Sequence, residues 1–531
     1  MSEVVPSADA QPPTTDPVQA PTVTLTRAPG GRAPGASDDV TAHAASMDSA
    51  ELRGRFLSGV LWQGSLRWLA QILSWASTLV VARHLSLEAY GIVSVSVVVV
   101  AITGYVTEAG IGRAIVLRNV TDRNVLGQLH SVAAMLGVAF AVALVLLATP
   151  IAWFFDNAAI AAPLMCWSVA IVIGGLVTVP AALLQQRLAY RTVALIELAR
   201  SITQALVVLT LAVLGAGYWA LIAGFLAASV LSLGSYLALA WLPLARPRLP
   251  DVRGHLHYAR HVVTGNLAWY AYSNCDFVVV GRVLSVTALG LYQFAWNIAQ
   301  LPGEKLTNVV QAAIAPVLGA LSERPDDMRE LLMRATALVA LLVFPVLVGL
   351  GIVAPLVIPI LFGERWLPAV PALRLLLAFG MMQAVTVSVV AALNARGRAR
   401  LTGLTSVALA CVSPFAFVIA AKVGELEGVA LVHVMLQPFV TIFMLRESRA
   451  AMGLRLSEFA RALRPAGTSC ALMAVACLVM VRATVDVSAV PRVVLVVVCG
   501  GLVYSGILAS VYRTDVEQLL RSFRGARAAS T

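Results

Sequence analysis

From Leu57 onward the chain alternates apolar runs of about twenty residues with short loops, and most of its arginines fall in the loops. That pattern leaves few folds open. A helical run of this length matches the hydrocarbon thickness of a bilayer, and backbone amides in lipid must find their partners within the segment. Fourteen runs are legible, at residues 57–82, 89–110, 128–150, 160–184, 193–215, 217–241, 259–281, 288–318, 335–361, 370–393, 401–421, 426–445, 466–482 and 491–511. Only 12% of residues are charged, against roughly 25% in soluble domains. The expected fold is an all-α integral membrane protein with about 14 transmembrane helices.

The net charge of +11 invites a nucleic-acid partner, because basic patches bind phosphate backbones. Its distribution argues otherwise. With the N-terminus in the cytoplasm, alternate segments place 28 Arg and Lys residues on that side and six on the other: Arg83, Arg282, Arg365, Lys422, Arg482 and Arg492. This is the asymmetry of the positive-inside rule. The charge therefore reports topology, with both termini cytoplasmic in a cell (inner, cytoplasmic) membrane, and nucleic acid is excluded.

Residues 1–50 are rich in Pro, Ala, Thr, Ser, Asp and Gly, with few large apolar residues. Such a segment buries too little surface to offset its ordering entropy and reads as a disordered cytoplasmic tail; it lacks the apolar core of a signal peptide. The six cysteines sit in or beside apolar runs without a C-x-x-C pair and read as buried free thiols. His257 and His261 have the i, i+4 spacing of a metal pair, but no third ligand accompanies them. No G-K pair occurs, so the chain holds no P-loop, and no cofactor or enzyme motif is evident.

The chain also repeats itself. "VVARHLSLEAYGIVS" at 80–94 returns as "VVGRVLSVTALGLYQ" at 279–293, with Arg83 on Arg282, Ser86 on Ser285, Ala89 on Ala288 and Gly91 on Gly290, each pair 199 residues apart. The offset spans six apolar runs, an even number, so the two halves share one orientation. Their relating axis would then run along the membrane normal, as in transporters built from parallel repeats.

Long stretches such as "ARHLSLEAYGIVSVSVVVVAITGYVTEAGIGRAIV", "YSNCDFVVVGRVLSVTALGLYQFAWNIAQLPGEKLTNVVQAAIAPVLGAL" and "PLVIPILFGERWLPAVPALRLLL" resemble the polysaccharide and O-antigen repeat-unit flippases of the multidrug/oligosaccharidyl-lipid/polysaccharide (MOP) exporter superfamily. The resemblance covers about residues 55–515. It implies two pseudo-symmetric six-helix lobes around a central cavity, plus two C-terminal helices. The corresponding boundaries are 51–242 for the first lobe, 243–258 for an interfacial linker and 259–446 for the second lobe. An amphipathic linker at 447–465, two extra helices at 466–512 and a cytoplasmic tail at 513–531 complete the chain. The resemblance further implies export of a polyprenyl-diphosphate-linked oligosaccharide for lipopolysaccharide or exopolysaccharide, beside the glycosyltransferases and polymerase of that pathway.

Polar groups inside apolar runs mark the candidate cavity, since charges within a bilayer usually face a bundle interior or wet space. In the first run Gln63, Arg67 and Gln71 recur at helical spacing. The repeat places Asn266 and Tyr270 opposite Arg67 and Gln71, and Asn274 and Asp276 follow. In "AQLPGEKLTNVVQ", Pro302 and Gly303 predict a kink, next to Glu304, Lys305 and Asn308. Glu197 and Arg200 are three apart and read as a structural ion pair. Arg67 and Lys305 suit an anionic diphosphate. Asp276 and Glu304 keep open a multidrug or cation antiporter, and a peptidoglycan-precursor flippase shares the same architecture. A membrane-bound polymerase or ligase would need a larger outer loop than any legible here.

Overall fold

The computed structural model describes residues 71, 73, 77, 79–106, 111–117, 120–248, 250, 253, 263, 267, 270–271, 273–515 and 517–518. The predicted tail at 1–50 lies outside them, as do Gln63, Arg67, His257, His261 and Asn266. Among the described residues all regular structure is helical, and nine helices are long and apolar enough to cross a membrane.

The long elements are α1 (Leu87–Val106), α2 (Arg123–Phe154), α3 (Ala161–Gln186), α4 (Tyr190–Val213) and α5 (Trp219–Leu239). They are followed by α6 (Val286–Ala320), α7 (Pro325–Leu361), α8 (Val370–Ala395), α9 (Ala399–Met452), α10 (Leu456–Ala483) and α11 (Ala489–Ser510). The element α9 is two helices. Gly424 and Glu425 leave helical geometry, Glu425 at φ 49°. The Ala420 carbonyl lies 2.3 Å from where a Gly428 Cβ would stand, whereas eight residues along a straight helix would separate them by about 12 Å. The chain reverses here, which accounts for the two runs predicted at 401–421 and 426–445.

Packing follows chain order. The helix α2 lies along α3, and α4 along α5; later in the chain α6 lies along α8, and α8 along α9. The final pair, α10 and α11, rests on α7, where the Tyr504 hydroxyl donates to the Leu341 carbonyl at 2.8 Å. Between the helices up to residue 242 and those after residue 273, α1 against α6 makes an extensive contact. Through Pro302, α6 runs as one element from Val286 to Ala320.

Short polar side chains start the helices where the sequence places them. Asp122 accepts from the Asn124 amide at 2.8 Å ahead of α2. Ser86 and Ser285, counterparts in the repeat, accept from Ala89 and Ala288 amides at 3.1 and 3.0 Å. The repeated serine is thus an N-cap in both halves, satisfying an amide that has no partner inside its own helix.

Candidate functional site

The two copies of the repeated motif meet. Gly91 in α1 and Gly290 in α6 press together so closely that a Cβ on Gly91 would stand 1.9 Å from the Val286 carbonyl oxygen. A Cβ on Gly290 would fall 2.3 Å from the Leu87 oxygen and 3.0 Å from the Gly91 nitrogen. Only glycine fits either position. A residue touching its own repeat counterpart lies beside the axis that relates the two repeats.

The repeated arginines cross this seam. Arg83 donates through Nε to the Leu361 carbonyl at 2.8 Å, and through Nη2 to the Ile360 carbonyl, at the C-terminal end of α7. Its counterpart Arg282 pairs with Asp156, just beyond the C-terminal end of α2, and lies 5.7 Å from the Phe154 ring centroid. The unpaired carbonyls at a helix C-terminus carry partial negative charge and favour a cation. Asp156 has φ 52°, and Asn157 beside it donates to Glu88 Oε1 at 2.9 Å.

A second layer closes the same end. Arg365 donates to the Leu85 and Arg83 carbonyls at 2.9 and 3.0 Å. Trp366, fully buried, donates Nε1–H to the Ala82 carbonyl at 3.0 Å. Its ring stacks on Phe294 with centroids 4.1 Å apart and meets Tyr90 edge-on at 5.2 Å. Deeper along the seam, Asn297 donates to the Tyr90 hydroxyl at 3.2 Å and the Tyr270 hydroxyl donates to the Val98 carbonyl at 2.7 Å.

The predicted polar residues fall into separate surroundings. Gln71 is half-buried in the first helical stretch. Tyr270 is buried in the seam, and Asn274 donates to its carbonyl at 2.9 Å. On α6, Glu304 and Asn308 are exposed four residues apart, on one face, while Lys305 is half-buried. Glu197 and Arg200 form the expected ion pair at 3.1 Å. Arg374 donates to the Gly351 carbonyl at 2.9 Å.

Asp276 is 1% exposed. Its Oδ2 accepts from the Tyr292 hydroxyl at 2.9 Å and lies 3.1 Å from His433 Nε2, while Oδ1 has no partner among the described residues. The His433 ring sits among Phe379, Phe417 and Trp296, with centroids 4.9, 4.9 and 5.2 Å away. A carboxylate, an imidazole and a phenol in one buried chain can hold and pass a proton. The sequence reading passed over His433, although a lone histidine in the apolar run "ALVHVML" carries the same signal as any ionisable group in a membrane segment. Trp366 left no such trace, since an indole that bonds a distant carbonyl reads as ordinary core.

Comparison with known proteins bears on the whole arrangement. The polysaccharide biosynthesis protein family matches residues 80–371, from the first arginine motif through the Trp366 layer. The chain belongs to this family. It is similar to lipopolysaccharide biosynthesis protein WzxC of Escherichia coli, 25% identical over 74% of this chain and 80% of the relative. Teichuronic acid biosynthesis protein TuaB of Bacillus subtilis is also 25% identical, over 79% of this chain and 88% of its own length. The solved lipid II flippase MurJ, in an inward closed conformation, shares the fold with TM-score 0.70 at 14% identity, covering 86% of this chain and 100% of the other. As a member of this family the chain is a multi-pass membrane protein of polysaccharide biosynthesis, and it shares the fold of MurJ.

If the seam is a gate, its steric and its polar parts have different effects. Gly91→Val drives a side chain into the Val286 carbonyl and is expected to hold this end open. Arg365→Ala removes two charged hydrogen bonds at an exposed site and shifts the balance by about 1 kcal/mol, roughly fivefold. Both are read from the reactivity of His84→Cys toward an impermeant thiol reagent. Unaltered reactivity in Gly91→Val would show that closure does not depend on this crossing.

Proposed function

We propose that the chain carries polyprenyl-diphosphate-linked oligosaccharide repeat units from the cytoplasmic to the outer leaflet of the cell membrane. The observation that carries this reading is the family match across the residues that build the seam, joined to relatives named for lipopolysaccharide and teichuronic acid biosynthesis. In this reading the helices before residue 242 and those from 259 to 446 are the two lobes, and the last two helices are an addition. The glycosyltransferases and the polymerase of the pathway are its neighbours in function. With both termini in the cytoplasm, the arginine–carbonyl seam would lie at the outer end.

The chemistry of the cargo fits this assignment. A lipid diphosphate carries negative charge that must leave water as the headgroup crosses. Fixed cations in a wet cavity can replace part of that hydration, and arginine does so with several directed donors. Arg67 and Lys305 are the proposed anion contacts. Gln63, Gln71, Asn266, Tyr270, Asn274 and Asn308 are the proposed neutral, sugar-facing set, and Glu304 is a proposed acidic member of the cavity. Asp276, which would favour an organic cation, is already engaged by Tyr292 and His433, and this weighs against the antiporter reading.

Arg67→Ala is expected to abolish transport at normal membrane levels, Arg67→Lys to retain part of it, and Asn266→Ala to do less harm. Complementation of a flippase-null strain, with each variant's membrane level measured alongside, checks this. Full activity from well-expressed Arg67→Ala would make that arginine a structural charge.

Topology has its own test. Single cysteines at Asp156, Gly217 and Asp486 in a cysteine-free background are expected to react with an impermeant reagent in whole cells. Labelling at Arg123, Arg253 or Arg398 instead would invert the orientation.

A further inference from the structure

We propose that an apolar cavity on the Arg282 side of the seam holds one hydrocarbon chain of a zwitterionic membrane phospholipid, in the place that Trp366 fills on the Arg83 side. The site does not rest on the flippase reading above; it needs only a bilayer around the helices.

The repeat makes the two sides comparable. On the Arg83 side, Phe294 stacks on the Trp366 indole and Tyr90 meets it edge-on. Their counterparts at the offset of 199 are Val95 and Leu289. Both line a cavity of about 240 Å³ between α1, the end of α2, residues 277–278 and the start of α6. Trp366 comes from a six-residue turn after α7, Glu364–Ala369. The turn after α2 is the three-residue Ala158–Ile160 and carries no aromatic ring. Phe155 takes part of the space, its ring 2.7 Å from where a Cβ on Gly281 would stand. Gly281 is the counterpart of Ala82, which accepts from the indole. With valine and leucine in place of phenylalanine and tyrosine, and no inserted indole, the remainder stays a cavity.

Its size and lining select the ligand. A dry apolar cavity of about 150 Å³ holds benzene, and pockets for drug-sized ligands run to roughly 300–1,000 Å³. A volume of 240 Å³ lined only by apolar side chains therefore takes a length of hydrocarbon and no headgroup. Val95, Phe277 and Leu289 form a buried inner wall, while Phe154 and Val278 at the mouth are 48% and 37% exposed. Along α1 the lining reaches Val99, about 18 Å from the helix start at Leu87. A chain entering at headgroup level thus runs down toward the bilayer centre.

The charges beside the mouth select the headgroup. Arg282 lies near the Phe154 ring and uses one of its five donors on Asp156, and the others suit a phosphate. Asp156, and Glu88 beyond Asn157, present two exposed carboxylates to an ammonium. One cation and two carboxylates repel a purely anionic headgroup and complement a zwitterionic one.

The test uses full-length protein in nanodiscs with a trace of phosphatidylethanolamine carrying a diazirine in one chain, with adducts mapped by mass spectrometry. Adducts are expected at Val99 and Val278. Val95→Phe installs the counterpart's side chain, and Val99→Phe narrows the cavity from a half-buried position. Each is expected to lower the Val278 adduct about tenfold, because a filled space admits a chain only by repacking. Leu146→Phe, on the exposed face of α2, leaves that adduct unchanged. In the two cavity variants, unchanged adducts at Leu146 show that the protein is folded and inserted. A phosphatidylglycerol probe with the same chains is expected to label Val278 less, and Asp156→Asn, at a φ of 52° that asparagine tolerates, to remove the difference. Labelling of Val278 that survives both cavity variants is ordinary surface lipid and overturns the proposal. Equal labelling by the two headgroups overturns it as well. Displacement by a polyprenyl diphosphate would assign the cavity to the cargo chain and overturn the phospholipid.

Discussion

Two helix N-terminal turns cross where neither can carry a side chain, and the rest of the closed end is arranged around that crossing. Gly91 and Gly290 bring α1 and α6 into backbone contact. Contact this close fixes the relative height of the two helices, because a small displacement drives a carbonyl into the opposing chain. The repeated serines then set where each helix begins, and the repeated arginines reach across. Serine, arginine and glycine thus recur for three different reasons: an orphan amide, an acceptor at or just beyond the C-terminal end of a facing helix (carbonyls for Arg83, the Asp156 carboxylate for Arg282) and a steric limit.

The same view explains why a few cations break the charge asymmetry of the loops. Arg83, Arg282 and Arg365 are three of the six basic residues assigned to the outer side, and each is engaged across the seam. A fourth, Arg492, donates to the Val481 carbonyl at 2.6 Å. Helix C-termini need donors wherever the chain turns, and arginine supplies several from one side chain. Of these four, Arg83, Arg365 and Arg492 satisfy backbone carbonyls and Arg282 meets the Asp156 carboxylate.

Much of this was legible in the sequence, and the limits have physical causes. The apolar runs and loop charges determine span positions, because helix length is dictated by bilayer thickness. The repeat was visible as an offset of 199 residues, and its glycines marked close approach without saying what approached. The reversal at Gly424 was readable as a gap between runs. Asp276 was read as a cavity group from its polarity alone; its engagement by His433, 157 residues away, is a tertiary fact that no local pattern encodes. Trp366 and Arg365 were equally silent, because a carbonyl 280 or more residues distant leaves no periodicity behind.

The contacts at this end are strong where they are buried and weak where they are exposed. The Arg282–Asp156 pair is 45% and 72% exposed, so it contributes about 0–1 kcal/mol. Arg83 at the end of α7 is exposed as well and contributes about 0.3–1 kcal/mol as a helix-end cation. Such contacts form and break within a conformational balance of a few kcal/mol. Trp366 differs, since it is fully buried, with Phe294 stacked on its ring and Tyr90 edge-on to it, and its indole N–H would be left without a partner if Ala82 withdrew. Phe294 lies between Tyr292, which holds Asp276, and Asn297, which holds Tyr90. One segment of α6 therefore presents the indole stack and the seam contact on one face and Tyr292, the partner of the buried carboxylate, on the opposite one. A packed helix moves as a unit. Displacing this segment would disturb all three contacts together.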